Sequence, residues 1–485
     1  MGTDLLNSTG DGYQEEGSRL NPSPLDPTPL HPSHLELQKL DAGALFVLES
    51  KGSWIHCWYH LTTAIVGPAL LSLPFSFASL GWVAGVTCLT IGAIVTFYSF
   101  NLLSVVIEHH EQHGRRQLRF RDMATDILGP KWGRYYVGPL QFGLCYGAVV
   151  GSIVLGGQSM KVGGFLQEEN WKHLHFIYVL SNPNGSIKLY EFVAIFGAVM
   201  LLLAQIPSFH SLRHINLVSL VLSLAYSICA TAGSIYIGNS TKASSKVYSL
   251  ASDGENRVFS IFNALSIIAA SYGNGILPEI QATLAPPIKG KMFRGLCMCY
   301  VVIFSTFFSV AISGYWAFGN LSAGSVLSNF IVDGKPLVPD WFVLMTNIFV
   351  LLQVSVVGVV YLQPTNDMLE RKFANAECEQ FSLRNVVPRL VSRSFAVIIA
   401  TIISAMLPFF SDINAFLGAL GIFPLNFILP MIFYNLTFRP SKWSLLFWGN
   451  AAIAVVFSIV GMIGVISAIR QIVLDAKNYH LFANL

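Results

Sequence analysis

The stretch His60–Pro74, HLTTAIVGPALLSLP, decides how the rest of the chain is read. It lies inside an apolar segment of about 25 residues, Trp54 to Ala78, long enough to cross a bilayer as a helix and free of charged residues. Gly67 and Pro68 fall at its middle. Pro68 removes one backbone N–H and clashes with the preceding turn, and Gly67 leaves helical geometry at little cost. Two readings stand for this stretch alone. One is a proline kink, which membrane helices tolerate. The other is a full break, whose bare N–H and C=O groups must be buried by protein or line a cavity.

Working outward, the composition fits a polytopic membrane protein. The 485 residues are 53% hydrophobic and 11% charged, with a mean hydropathy of +0.57, whereas soluble domains carry about 25% charged residues. A net charge of +3 points to no nucleic-acid partner. The seven cysteines are scattered through apolar segments, and Cys297 and Cys299 lack the spacing and the second pair of a zinc site, so no metal is expected. No nucleotide-binding motif or other cofactor signature is present, which argues against ATP drive.

Residues 1–50 are polar and proline-rich and are expected to form a disordered cytosolic tail, without a signal peptide or a complete myristoylation motif. Eleven apolar spans follow, roughly 54–78, 82–108, 135–166, 189–207, 212–238, 256–284, 293–318, 339–369, 387–410, 412–435 and 444–469. They make residues 51–475 one transmembrane domain, with 476–485 a short tail. With the N-terminus cytosolic, seventeen Lys and Arg residues fall in or beside inner loops against eight outside, as the positive-inside rule requires. The C-terminus is then outside. The sequons at Asn184, Asn239 and Asn320 also fall outside, where glycosylation is available.

The sixth span carries a second interruption, Gly273-Asn274-Gly275, with Pro278 just beyond. Such a run continues a helix poorly, and a restart at Ile276 is expected to present free N–H groups and a positive dipole end. Breaks five helices apart place their two halves in opposite orientations, the pattern of an inverted-repeat transporter with its binding site between the breaks.

Ionisable residues at membrane depth sharpen this. Glu279 follows Pro278 and is a candidate proton carrier, or else a structural carboxylate bonded to a helix end. His60, just before the first break, is a candidate proton relay or a packing histidine. His56 and His60 have the i, i+4 spacing of a metal pair but no visible third ligand. Tyr272 beside the second break and Tyr146 within the third span each bring a hydroxyl toward a bound amino or carboxylate group, or anchor a backbone carbonyl in the bundle. The segment FRDMATDILGPKWGRYY reads as an amphipathic stretch along the inner surface.

Longer strings then carry a resemblance. HLTTAIVGPALLSLPFSF followed by LGW, ILPEIQATLAPPIKGKMFRG, GYWAFGN, YLQPTND and AMLPFFSDINAFLGALG resemble the amino acid/auxin permease family over nearly everything after residue 50. RFRDMATDILGPKWGRYYVGP, QIPSFHSLRHIN and YGNGILPEIQATLAPPIKGKM resemble its plant γ-aminobutyrate (GABA) transporter branch. The resemblance implies an all-α, 5+5 inverted-repeat core like the bacterial leucine transporter, with broken helices 1 and 6 and one extra helix. It also implies proton-coupled import of amino acids at the plasma membrane. By position, Ala64, Ile65, Val66, Gly67, Pro68 and Ala69, together with Ser271, Tyr272, Gly273, Asn274 and Gly275, match the two unwound substrate-binding segments. Glu279 matches a carboxylate that recurs in the family's sixth helix. Many members read Gly-Ala-Gly at the first break, where this chain has Gly67-Pro68-Ala69; the proline agrees with the γ-aminobutyrate branch. That branch carries Ser and Ala where this chain has Ala64 and Gly67, which implies a change in substrate size or affinity.

The leading expectation is therefore a proton-coupled importer of γ-aminobutyrate and related amino acids, with the lipid bilayer, protons and a small-molecule substrate as partners. Alternatives are a carrier of neutral, proline-like or basic α-amino acids, a transport-fold nutrient sensor, or a vacuolar or endosomal home. An integral membrane acyltransferase using His109, His110 and His113 lacks a partner pattern for acid/base work.

Overall fold

The computed structural model describes residues 52–115, 117–170, 188–205, 212–240, 246–249, 254–285, 287–332, 335–370 and 382–478. The tail expected over 1–50 and the sequon at Asn184 lie outside the described residues.

Apolar backbone in lipid must satisfy its own hydrogen bonds, and the spans accordingly fold as helices. Nine helical stretches of the described residues are long and apolar enough to cross a membrane, and Leu189–Leu203 is a shorter apolar helix. The first of the nine, Trp54–Gln112, has 59 residues, where one crossing needs about 20. It turns at Gly81, whose φ of 77° and ψ of 177° form a backbone state open essentially to glycine alone. Counting that turn and the shorter helix, the expected eleven spans are present in order.

In chain order, α1 (Trp54–Ile65), a 3₁₀ turn (Pro68–Ser72) and α2 (Leu73–Gln112) make the first two spans. The surface helix α3 (Phe120–Leu128) leads through Pro130–Trp132 and a π turn (Gly133–Val137) into α4 (Gly138–Asn170). Then come α5 (Leu189–Leu203), α6 (Leu212–Asn239), α7 (Gly254–Tyr272) and α8 (Leu277–Ala282), the last two being the halves of the sixth span. They are followed by α9 (Lys291–Phe318), α10 (Asp340–Glu370) and α11 (Leu383–Met406). In the tenth span a π stretch (Gly418–Ile428) joins α12 (Phe410–Leu417) to α13 (Leu429–Phe438). The last helix, α14, runs from Leu445 to Asn478, into the segment expected as a tail. Between α9 and α10 a two-residue antiparallel hairpin, β1 (Ile331–Val332) and β2 (Lys335–Pro336), pairs Ile331 with Pro336 and Val332 with Lys335.

The first and sixth spans cross the bundle in opposite senses. Gly52, just before α1, is strapped to the end of α8: its N–H reaches Thr283 O at 3.0 Å, and its carbonyl takes the Ala285 N–H at 3.0 Å. Halfway along, Ser271 Oγ donates to Ala69 O at 3.3 Å. The start of one span thus meets the end of the other while their interruptions face each other. Both are buried in the bundle: α1 is buried from Tyr59 to Ile65, and 72% of the apolar stretch of Gly254–Ala282 is buried, against 22% for the last helix, which forms part of the rim. The surface helix α3 is amphipathic as expected, burying Phe120, Met123 and Ala124, while the nearby Trp132, Tyr135 and Tyr136 stay exposed, as aromatics at a membrane interface do.

Candidate functional site: a cavity between two broken helices

Helix α1 stops where the glycine–proline pair predicts. Val66 leaves helical geometry with a ψ of 59°, and the Gly67 N–H turns back onto Ile65 O at 2.7 Å. The carbonyls this leaves bare would each cost about 1–3 kcal/mol if buried without a partner. Hydroxyls from other helices take them. Tyr361 of α10 donates to Ala64 O at 3.1 Å and Tyr226 of α6 to Val66 O at 3.4 Å, and the Ser271 hydroxyl of α7 is shared between Ile267 O of its own helix at 3.0 Å and Ala69 O at 3.3 Å. The backbone resumes with Leu70 N–H on Gly67 O at 3.4 Å, and among the described residues no backbone carbonyl takes the Ala69 N–H.

The second break is finished with amides. Asn426, in the π stretch, donates to Asn274 O at 2.9 Å, and Gln141 of α4 donates to Gly275 O at 2.9 Å. The restart at Ile276 differs from the sequence expectation. Its N–H is not free, because Asn274 Oδ1 accepts it at 3.0 Å. An asparagine side chain two residues back mimics a backbone turn and so leads the chain into the restarting helix.

Between the breaks lies a cavity of about 70 Å³. Five of the expected residues, Ala64, Ile65, Gly67, Pro68 and Ala69, form one wall, and Gly273 with Ala270 forms the facing one. The remaining walls were not legible in the sequence. Helix α4 brings Leu144, Ala148, Gly151 and Ser152, and α10 brings Val357 and Tyr361. The tenth span closes the cavity with Phe410, Asn414, Leu417 and Ile422. Among the described residues the lining has no ionisable group besides the Tyr361 phenol; its polar side chains are Ser152, Tyr361 and Asn414. A polar residue inside an otherwise apolar span was the available signal for Ser152 and Asn414.

The other expected residues support the cavity from behind. Val66, Ser271, Asn274 and Gly275 are buried at the breaks, engaged as described. Tyr272 Oη donates to Leu89 O at 2.8 Å, its ring centroid 5.1 Å from that of Phe307. Tyr146 stacks on Phe142 and donates to Ala396 O at 2.8 Å. Both tyrosines therefore anchor carbonyls in the bundle. His60 is buried one turn before Ala64. His56 Nδ1 accepts the Ser53 N–H at 2.9 Å, at the start of α1. Among the described residues no group of three or more His, Cys, Asp or Glu is placed to hold a metal. Asn239 is exposed at the end of α6, and Asn320 is half-buried with its amide nitrogen on Ser249 O.

Glu279 sits on α8 behind the second break, buried and outside the cavity lining. Its Oε1 accepts from Gln141 Nε2 at 2.6 Å and from the Phe120 N–H at 3.2 Å. Its Oε2 is buried with no hydrogen-bond partner among the described residues. The carboxylate thus links the sixth span, the third span and the first residue of α3. Phe120 is itself fixed against Phe433 of α13, ring centroids 5.9 Å apart. A second buried carboxylate, Asp412 on α12, lies beside Asp475 of α14 and accepts from Ser411 Oγ at 3.3 Å. Span counting passes over it because it falls at the seam between the ninth and tenth spans.

Residues 50–474 match the family model described as transmembrane amino acid transporter protein. GABA transporter 1 of Arabidopsis thaliana is 56% identical over 447 residues, covering 92% of this chain and 96% of that protein. Lysine histidine transporter-like 1 of the same plant is 30% identical, covering 93% of this chain and 95% of its own length. A solved Na⁺-coupled sialic acid symporter aligns over 92% of this chain and 95% of its own, with a TM-score of 0.48 and 12% identity.

Proposed function

The chain belongs to the transmembrane amino acid transporter family, and from that premise we propose that it imports γ-aminobutyrate and related amino acids together with protons across the plasma membrane. The observation that carries this reading is the cavity between the breaks, small and without a carboxylate or a basic side chain in its lining. Such a lining suits a substrate whose two charges compensate each other. It disfavours a side chain carrying an extra charge, because nothing there would pair with it. The likeness to GABA transporter 1 supports a γ-amino acid within the family.

In this reading the substrate carboxylate meets the Ala69 N–H at the start of the second half of the first span, where the helix dipole is positive. The ammonium faces neutral acceptors, Asn414 Oδ1, Tyr361 Oη and Ser152 Oγ, across the cavity. Glu279 carries the coupled proton, and His60 stands behind it as the other candidate. The N-terminus is cytosolic and the C-terminus outside, with a vacuolar or endosomal membrane as the alternative home.

The test is uptake of radiolabelled γ-aminobutyrate by oocytes or transport-deficient yeast at acidic and neutral external pH, with proline and alanine as competitors. Saturable uptake, stronger in acid and poorly inhibited by the α-amino acids, is expected. Uptake led by an α-amino acid would keep the family and overturn the substrate. Glu279→Gln is expected to flatten the pH dependence of uptake with surface protein retained; an unchanged pH profile removes Glu279 from the coupling scheme.

A further inference from the structure

The proposed proton carrier does not touch the cavity, so something must connect the two. One nitrogen does. Gln141 Nε2 lies 2.6 Å from Glu279 Oε1 and 2.9 Å from Gly275 O. Its two hydrogens serve two acceptors of different kinds. One is a carboxylate, whose charge changes when a proton binds. The other is a backbone carbonyl of the break, two residues from the cavity-lining Gly273. Gln141 is only 3% exposed, so both contacts are shielded from bulk water.

We infer that Gln141 is a positioning residue for coupled transport: it ties the Gly275 carbonyl to α8 while Glu279 is ionised and releases α8 when Glu279 takes a proton. The inference rests on the proposed reading of Glu279 as the coupling carboxylate. Hydrogen bonds to an ionised carboxylate are roughly twice as strong as those between neutral partners. The proton has a defined place to go, because Oε2 is the oxygen without a hydrogen-bond partner. Once Oε2 is protonated, Oε1 becomes the carbonyl of an acid. Both bonds to it weaken together, the one from Gln141 and the one from the Phe120 N–H. Gln141 is then held mainly by Gly275 and moves with the break instead of fixing it to α8.

The groups facing Glu279 support this assignment. Arg119, at the start of α3, is the cation acting on it, and Arg119 is shared with Asp122, Nη1 to Oδ2 at 3.7 Å. The Cys145 thiol of α4 also faces it. Of the other helices packed on α8, α2 turns its Glu108 to the Gly290 N–H at 3.1 Å, and α1 carries the buried His60. The partner whose position follows the carboxylate's charge and also touches the break is Gln141.

The test uses the full-length protein in oocytes or yeast, with KM and maximal rate for γ-aminobutyrate measured across external pH. Gln141→Met keeps the length and removes the donor. Gln141→Asn keeps an amide one methylene too short to reach both acceptors. Each is expected to reduce the ratio of KM at neutral pH to KM at acidic pH at least about threefold, the scale of halving one charged hydrogen bond. A parental pH dependence of KM in either variant at the surface overturns the inference, as does a uniform loss at every pH. If Glu279→Gln itself keeps the parental pH profile, the underlying reading fails instead. A flattened Glu279→Gln with an unaltered Gln141→Asn sinks the inference alone.

Discussion

At the break after α1 the bare carbonyls are held by hydroxyls, from Tyr361, Tyr226 and Ser271; at the break between α7 and α8 they are held by amides, from Asn426 and Gln141. The hydroxyl bonds are long, 3.1 to 3.4 Å, and the amide bonds are 2.9 Å. A hydroxyl hydrogen rotates about one bond and can turn to a ligand, whereas a carboxamide is planar with its donors fixed. The first break also gives the cavity five residues, while the second gives Gly273 and the adjacent Ala270. The two interruptions look equivalent in sequence, yet one supplies most of a cavity wall and the other is wired to the rest of the bundle.

The largest effect expected from this division compares two leucines. At Gly273 a side chain would run into Ile422, and its Cβ would lie 3.1 Å from Ala270 O. Gly273→Leu should therefore cost about 3 kcal/mol and lose both surface protein and uptake. At Gly67, with a φ of −90°, a Cβ finds its nearest atom 3.9 Å away. Gly67→Leu should melt like the parent in detergent yet abolish uptake by filling the cavity. Similar melting curves for the two variants would break the comparison.

A smaller effect separates amide from hydroxyl. Asn426→Ala leaves Asn274 O buried without its donor and should cost about 2 kcal/mol, while Tyr226→Phe, at a 3.4 Å bond, should cost under about 1 kcal/mol. Thermal unfolding of the purified protein reads the order, and a reversed order would mean that the first break is the rigid one. The smallest expected effect is Gly67→Ala. One added methyl is worth about 0.8 kcal/mol of contact, so KM for γ-aminobutyrate should fall about fourfold while bulkier amino acids lose uptake. Parallel changes for compact and bulky substrates would show that Gly67 does not set the room in the cavity.

How much of this the chain announces depends on the distance over which each feature is encoded. The interruptions at Gly67-Pro68 and Gly273-Asn274-Gly275 are local, because a missing N–H or a missing Cβ acts within a turn. The turn at Gly81 likewise sits at the seam that hydropathy places between the first two spans. What completes the breaks is not local. Tyr361 lies 297 residues from the carbonyl it holds and Gln141 lies 134 residues from its own. A hydropathy run marks the span that carries a tyrosine or glutamine but not the carbonyl it will meet. The tenth span illustrates the same limit, since an apolar run reads as plain helix and hides both the π stretch and the inward placement of Asn414. At Ile276 the local reading missed one bond for a local reason: the asparagine taken as a helix breaker also accepts the N–H two residues on.

The strap at Gly52 has a mechanical meaning. Two backbone hydrogen bonds join the chain just ahead of α1 to the end of α8, so these half-helices are harnessed at one side of the bundle while their free ends meet at the cavity. Neither can swing outward alone without tearing the harness. A push delivered to α8 through Glu279 would be felt by α1 as well, so the two halves would move as one yoke that opens or shuts a single side.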